Sequence, residues 1–168
     1  FNAIDVLKAY DMTVDDIDPQ YLDFGDSAEG LKDGKIDAAF VVAGAPTVAI
    51  SDLSTSGKVY LVGFDKEHTD KLIADCPYYS TYTIKKDVYK TPDDVDTVAV
   101  AAVVLARNDV SEDAVYNFMT ATFDNLEELG KAHAKGKELS LEFASSITDV
   151  PYHPGAVKYF AEHDITVK

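Results

Sequence analysis

The stretch Phe40–Ile50, FVVAGAPTVAI, joins an unbroken apolar run to a Gly-Ala-Pro-Thr turn and then to a helical pattern. An apolar run without polar alternation is typical of a strand that is covered on both faces. Proline favours the first position of a helix, because its missing N–H would have no partner there. The stretch therefore predicts a buried strand over 36–42, an N-cap near Ala45 and a short helix over 46–53.

Strand and helix patterns alternate along the chain on both sides of this stretch. The other predicted strands cover 21–24, 59–64 and 98–106. The other predicted helices cover 2–10, 26–32, 69–74, 111–133, 140–147 and 157–163, and a Tyr-rich extended segment covers 76–90. Such alternation is typical of α/β proteins with a parallel sheet. We therefore predict an α/β fold of mainly parallel sheets flanked by helices.

Several polar residues carry signals for helix ends. The segment Asp26–Glu29 has the spacing of a capping box, and Gly34 fits the end of the same helix. Thr13 with Asp16 predicts a second cap, and Ser111 predicts the start of a long helix.

The charge balance excludes several classes of partner. Lys and Arg number 15 and Asp and Glu number 30, which gives a net charge of −15. A surface of this sign repels duplex DNA and anionic membranes, so we expect no nucleic-acid partner. Arg107 is the only arginine, which excludes an arginine cluster for phosphates.

Cys76 is the only cysteine, which excludes an intramolecular disulfide and a zinc site built on several thiolates.

The turn after the apolar run is a candidate anion site. A helix that begins at Pro46 would direct the N–H groups of Thr47 and Val48 and the Thr47 hydroxyl away from its first turn. Gly44 would allow a ligand to approach the backbone closely. Ligands of open α/β sheets bind beyond the carboxyl ends of strands, where this turn falls. An ordinary strand-to-helix connection explains the same residues, and both interpretations stay open.

The histidine and acidic residues do not form a metal motif. Glu67 with His68, and His133 with Glu127 or Glu128, are pairs without a third ligand at a suitable spacing. We therefore expect no metal and no cofactor.

Two further positions have open alternatives. Arg107 follows the apolar run 98–106 and pairs either with a ligand carboxylate or with Asp109. Tyr78 and Tyr79 either stack on a ligand or pack an extended segment.

Three segments together resemble the TAXI family, the TRAP-associated extracytoplasmic solute-binding proteins. They are Tyr21–Ile50 (YLDFGDSAEGLKDGKIDAAFVVAGAPTVAI), Thr97–Leu129 (TVAVAAVVLARNDVSEDAVYNFMTATFDNLEEL) and Tyr152–Glu162 (YHPGAVKYFAE). The resemblance runs in order along essentially the whole chain, which makes it more specific than any single motif.

The resemblance implies a fold of the type II periplasmic-binding class with two lobes and an incomplete first lobe. The family's N-terminal part would lie upstream of Phe1, so the missing N-terminal half of the same protein is an expected partner. The implied division is 1–75 for most of the second lobe, 76–97 for an interlobe crossing, and 98–168 for the return into the first lobe.

The family also implies a function. Such a receptor captures a small organic anion, an amino acid such as glutamate or a 2-oxo or dicarboxylic acid, and delivers it to the membrane subunits of a TRAP transporter. The implied location is extracytoplasmic, in the periplasm or lipid-anchored on the outer face of the membrane, and no enzyme activity is expected. An effector-binding domain of a transcriptional regulator, or an enzyme on the same two-lobed fold, is the alternative.

Positions that match the family's motifs are the implied site residues. The cleft turn comprises Ala43, Gly44, Ala45, Pro46 and Thr47. Phe24 and Gly25 would lie near the rim of the cleft, after a strand, and Tyr79 would belong to an aromatic pair. The segment His153–Ala156 is expected to fix a turn and to need no ligand.

Overall fold

The computed structural model describes residues 1–57, 60–148 and 150–168 and divides into two units, Phe1–Val100 and Ala101–Lys168. The first unit contains α1 (Asn2–Ala9), a 3₁₀ turn (Val14–Asp16), α2 (Phe24–Asp33), α3 (Val48–Ser54), α4 (Lys66–Asp75), β1 (Tyr79–Ile84), α5 (Lys86–Tyr89) and β2 (Val95–Val100). The second contains α6 (Glu112–Phe123), α7 (Leu126–Ala132), a 3₁₀ turn (Ala134–Glu138), α8 (Leu141–Ala144) and α9 (Pro154–Ala161).

The core of the first unit forms where α1 and α4 meet β1. Val6 and Ala9 of α1 are buried with Leu72 of α4 and Tyr79 of β1. Leu72 is only 3% exposed, and burial of such a side chain contributes roughly 1.5–3 kcal/mol. The helix predicted over 2–10 is therefore observed as α1, and its buried residues fix it against the sheet.

The sheet of this unit is an antiparallel pair, not the predicted parallel sheet. β1 pairs with β2 in a register that runs from Tyr79 opposite Val100 to Ile84 opposite Val95. The connection over 85–94 is short, and parallel strands need a crossover of a dozen or more residues. A mixed α/β composition is thus observed, while the prediction of mainly parallel strands is wrong for the described part of the chain.

The apolar runs that predict buried strands lie mostly outside regular structure. Residues 36–42 and 60–64 form no strand, and Phe40 and Val62 are 48% and 80% exposed. One bond, from the N–H of Phe64 to the carbonyl of Asp96 at 2.9 Å, joins the second run to β2. A strand needs a neighbour for its backbone donors and acceptors, and apolar composition does not supply one. Val59, the first residue of the predicted strand 59–64, lies outside the described residues.

The predicted strands at 21–24 and 98–106 also differ from the structure. Residues 21–23 are irregular, and Phe24 already belongs to α2. The third apolar run enters β2 only as far as Val100, and residues 101–106 have no regular structure. Val104 and Leu105 are 76% and 75% exposed, so this run is not a buried strand.

Helix caps explain where α2 begins and ends. The Asp23 carboxylate accepts the N–H of Asp26 at 2.8 Å, so the helix begins before the predicted box Asp26–Glu29. The prediction is wrong because Asp23 reaches the orphan donors of the first turn before Asp26 does. The predicted end at Gly34 is confirmed by its left-handed φ of 69°. The predicted cap at Thr13 is confirmed as well.

Helices α6 and α9 pack closely in the second unit. Tyr159 and Phe160 of α9 are 4% and 1% exposed. Gly155 lies so near α6 that a Cβ there would collide with the backbone oxygen of Glu112 and lie 2.9 Å from the Tyr116 nitrogen. Only glycine therefore permits this approach.

The predicted helices of the second unit are shorter or shifted. Ser111 caps α6 as predicted, but the helix over 111–133 is interrupted at Asn125, whose amide donates to the Ala121 carbonyl at 2.8 Å. α8 is shorter than the predicted 140–147. α9 begins at Pro154, because the ring of His153 accepts the N–H of Gly155 and caps the helix. The segment His153–Ala156 is therefore the cap and first turn of α9, and the predicted turn there and the predicted helix start at 157 are wrong.

Candidate functional site

The turn over 43–47 precedes α3, and its last residue is the helix cap. Thr47 has an extended backbone with φ −104° and ψ 134°, and α3 begins at Val48. The predicted N-cap at Ala45 and helix start at Pro46 are therefore wrong. Although Thr47 occupies the cap position, its side chain makes no capping hydrogen bond to the helix. Its hydroxyl donates to the Gly44 carbonyl at 2.9 Å, and this bond closes the turn.

The donors of Thr47 already have partners. Its backbone N–H donates to the phenol oxygen of Tyr89 at 2.8 Å, and Tyr89 is only 4% exposed. Two of the donors predicted to receive an anion are thus engaged inside the protein. An anion at this turn has to exchange with Tyr89 and with the Gly44 carbonyl.

Phe24 and Gly25 lie in the first turn of α2 and not after a strand. The Asp23 cap fixes this turn, and Phe24 is 42% exposed. α2 packs against α3. The helix that carries Phe24 therefore lies beside the helix that follows Thr47.

Tyr79 is the first residue of β1 and lies in the core that this strand forms with α1 and α4. Its hydroxyl donates to the Asp5 carboxylate at 2.9 Å and accepts the side-chain amide of Asn2 at 2.8 Å. Burial and the bond to Asp5 raise the pKa of Tyr79 from 10.0 to about 12, although the Asn2 amide opposes the shift. The hydroxyl is thereby committed to α1, and ligand contact by Tyr79 stays a prediction.

Tyr78 shares the Asp5 carboxylate with its neighbour. Its hydroxyl donates to Asp5 at 3.0 Å, and its ring lies 4.8 Å from the ring of Tyr79 at an angle of 39°. Hydrogen bonds to Cys76 and Asp5 raise the pKa of Tyr78. Asp5 is a residue that sequence reasoning missed, since its helical position carries no signal for a contact with a strand far along the chain.

The histidine nearest the first-unit core is a structural one. His68 stacks on Tyr10 with the ring centroids 3.9 Å apart, and its Nδ1 lies 2.7 Å from a carboxylate oxygen of Asp65. The backbone N–H of His68 is the main cause that lowers the pKa of Asp65 from 3.8 to about 2. No cluster suited to a metal ion occurs among residues 1–57, 60–148 and 150–168.

Of the two alternatives for Arg107, the structure shows the pairing with Asp109. The guanidinium lies 2.9 Å from the Asp109 carboxylate, and both side chains are exposed. The arginine side chain is therefore engaged in an ion pair within its own loop.

A cavity of about 400 Å³ opens beside α3 and the segment that follows α5. Its wall includes Ile50, Tyr60, Tyr89, Lys90, Asp93 and Val95. None of the residues predicted for the site, 24–25, 43–47 and Tyr79, belongs to this wall. Tyr89 is the residue that joins the two places, because it lines the cavity and its hydroxyl accepts the backbone N–H of Thr47. No periodic pattern around Tyr89 indicated this role.

The family comparison covers almost the whole chain. A sequence model of the NMT1-like family matches residues 1–163. The chain belongs to the NMT1-like family. This family is related to periplasmic solute-binding proteins and is typically extracytoplasmic. None of the helices in the described residues is long and apolar enough to cross a bilayer.

Proposed function

We propose that this NMT1-like protein is an extracytoplasmic solute receptor of the TAXI type. It captures a small organic anion, an amino acid such as glutamate or a 2-oxo or dicarboxylic acid, and delivers it to the membrane subunits of a TRAP transporter. The observation that supports the proposal is the family match over 1–163. The match includes the turn 43–47, which is exposed at Gly44 and Pro46.

Binding requires no covalent step in this proposal. A carboxylate oxygen of the ligand takes the place of the Gly44 carbonyl or the Tyr89 hydroxyl around Thr47. The ligand gains a charge-assisted hydrogen bond, which is about twice as strong as a neutral one. Exchange of a neutral acceptor for a charged one lets the turn favour an anion although the net charge is −15.

The central test is calorimetric titration of the protein with glutamate, 2-oxoglutarate and succinate. Thr47→Ala is expected to weaken the binding of the preferred acid about tenfold, through the loss of one charge-assisted hydrogen bond. Thr47→Ser, which keeps the hydroxyl, is the matched control and is expected to retain the affinity. Equal affinities of the protein and the alanine variant remove Thr47 from the site, and the absence of heat with every acid overturns the proposal.

Delivery to a permease is tested separately. Uptake of the bound acid into liposomes that carry a TRAP permease is expected to depend on added receptor. The Thr47→Ala variant is expected to support less uptake at acid concentrations below saturation. Uptake that is independent of the receptor contradicts the transport role.

A further inference from the structure

The cavity beside α3 has an apolar wall with two charged groups. Ile50, Leu61 and Val95 are partly buried, and Tyr89, which also lines the cavity, is only 4% exposed. A volume of about 400 Å³ lies within the usual range for small-molecule sites. The apolar part of the wall favours a ligand with a hydrocarbon body.

The hydroxyl groups of the cavity wall are engaged within the protein. The Ser54 hydroxyl donates to the Ser51 carbonyl at 2.7 Å, and the Thr91 hydroxyl donates to the backbone carbonyl of Asp93 at 2.9 Å. These groups fix the local backbone, so they have no donor to spare for a ligand.

Lys90 and Asp93 differ from these hydroxyls. Within residues 1–57, 60–148 and 150–168, neither the Lys90 ammonium nor the Asp93 carboxylate forms an ion pair or a side-chain hydrogen bond. The neighbouring acid Asp94 is instead occupied by the ammonium of Lys85 at 2.8 Å and by the N–H of Lys86 at 2.9 Å. Both residues are exposed, and they are one cation and one anion of the wall without a protein partner in the part of the chain that the structure describes.

We propose that this cavity binds a neutral α-amino acid with an apolar side chain. The carboxylate of the ligand pairs with Lys90, its ammonium pairs with Asp93, and its side chain lies against the apolar wall. A ligand that carries a second carboxylate is disfavoured, because Lys90 is the only cation among the described residues of the wall and the protein is strongly acidic. The cavity residues are different from those of the turn 43–47, so this proposal does not rest on the proposed function.

The probe for the test is L-leucine, and the measurement is calorimetric titration together with ¹⁵N-resolved NMR. L-leucine is expected to bind with a Kd of about 1 mM or tighter. Isopentylamine lacks the carboxylate and 4-methylpentanoate lacks the ammonium, so each is expected to bind at least about tenfold more weakly. Amide shifts are expected at Ile50, Lys90 and Val95.

Lys90→Gln and Asp93→Asn each remove one charge from the cavity. Each is expected to weaken L-leucine binding about tenfold or more, the usual loss for one hydrogen bond to a charged group. The matched controls are Lys32→Gln on α2 and Asp87→Asn on α5, exposed positions that are not part of the wall. Circular dichroism verifies that all four variants are folded.

Three outcomes overturn the assignment. The first is no binding of L-leucine, and the second is equal binding of 4-methylpentanoate. The third is unchanged affinity of either charge variant. Thr47→Ala separates this proposal from the receptor proposal, because it is expected to leave L-leucine binding unchanged while it weakens binding of an acid at the turn.

Discussion

The phenol oxygen of Tyr89 accepts the backbone N–H of Thr47 at 2.8 Å, across 42 positions of sequence. This bond ties the turn before α3 to the end of α5. Both residues are at least partly buried. Removal of the Tyr89 hydroxyl therefore leaves the Thr47 N–H without a protein partner and without full access to water.

Tyr89→Phe is expected to lower the free energy of unfolding by about 1–3 kcal/mol, the usual cost of a buried donor without a partner. Urea denaturation followed by circular dichroism measures the change. Tyr21→Phe is the matched control, because Tyr21 is 90% exposed. Equal stability of the two variants would show that the bond contributes nothing.

Gly155→Ala is expected to destabilise the packing of α9 on α6 by about 1–3 kcal/mol, since the new Cβ collides with the backbone oxygen of Glu112. Thermal unfolding is the measurement. Gly25→Ala is the control, because its nearest contact is 3.4 Å away and alanine favours a helix. A Tm for Gly155→Ala at or above that of the unmodified protein contradicts the close approach.

Asp23→Ala is expected to cost about 1 kcal/mol of stability through the loss of the cap of α2. Asp26→Ala keeps the backbone N–H that the cap binds, so a smaller change is expected there. Chemical denaturation of both variants decides between the two starts of this helix. A larger loss for Asp26→Ala would restore the start predicted from the sequence.

Tyr79 is expected to make stability dependent on alkaline pH. Its folded pKa is raised from 10.0 to about 12, so its contribution is complete below pH 10 and is lost as the pH rises toward 12. The raised pKa corresponds to a contribution of about 1–3 kcal/mol to stability. The stability difference between the protein and Tyr79→Phe, measured by urea denaturation at several pH values, is therefore expected to shrink over this window. A difference that is constant from pH 9 to 12 argues against the shift.

Local signals predicted the ends of several elements correctly. Ser111 and Thr13 are caps, and Gly34 ends α2. Each of these depends on neighbours within a few residues, so a short window of sequence contains the whole interaction.

The predicted strands failed for a different reason. The runs around Phe40, Val62 and Val104 are apolar enough for buried strands, but apolar composition does not identify the neighbour with which a strand must pair. Prediction of the site residues from sequence was limited in the same way. Tyr89 reaches Thr47, and Asp5 reaches Tyr79, through contacts between residues far apart in sequence that periodicity does not reveal.

The exposed run over 101–106 has a consequence for the behaviour of the protein in solution. Val104 and Leu105 are 76% and 75% exposed on a segment without regular structure, and such a segment is a template for pairing with another chain. A net charge of −15 opposes that encounter by long-range repulsion between molecules. Added salt shortens the range of this repulsion to about 3 Å at 1 M ionic strength. Colloidal stability, measured by light scattering, is therefore expected to fall with rising salt while the fold itself is retained.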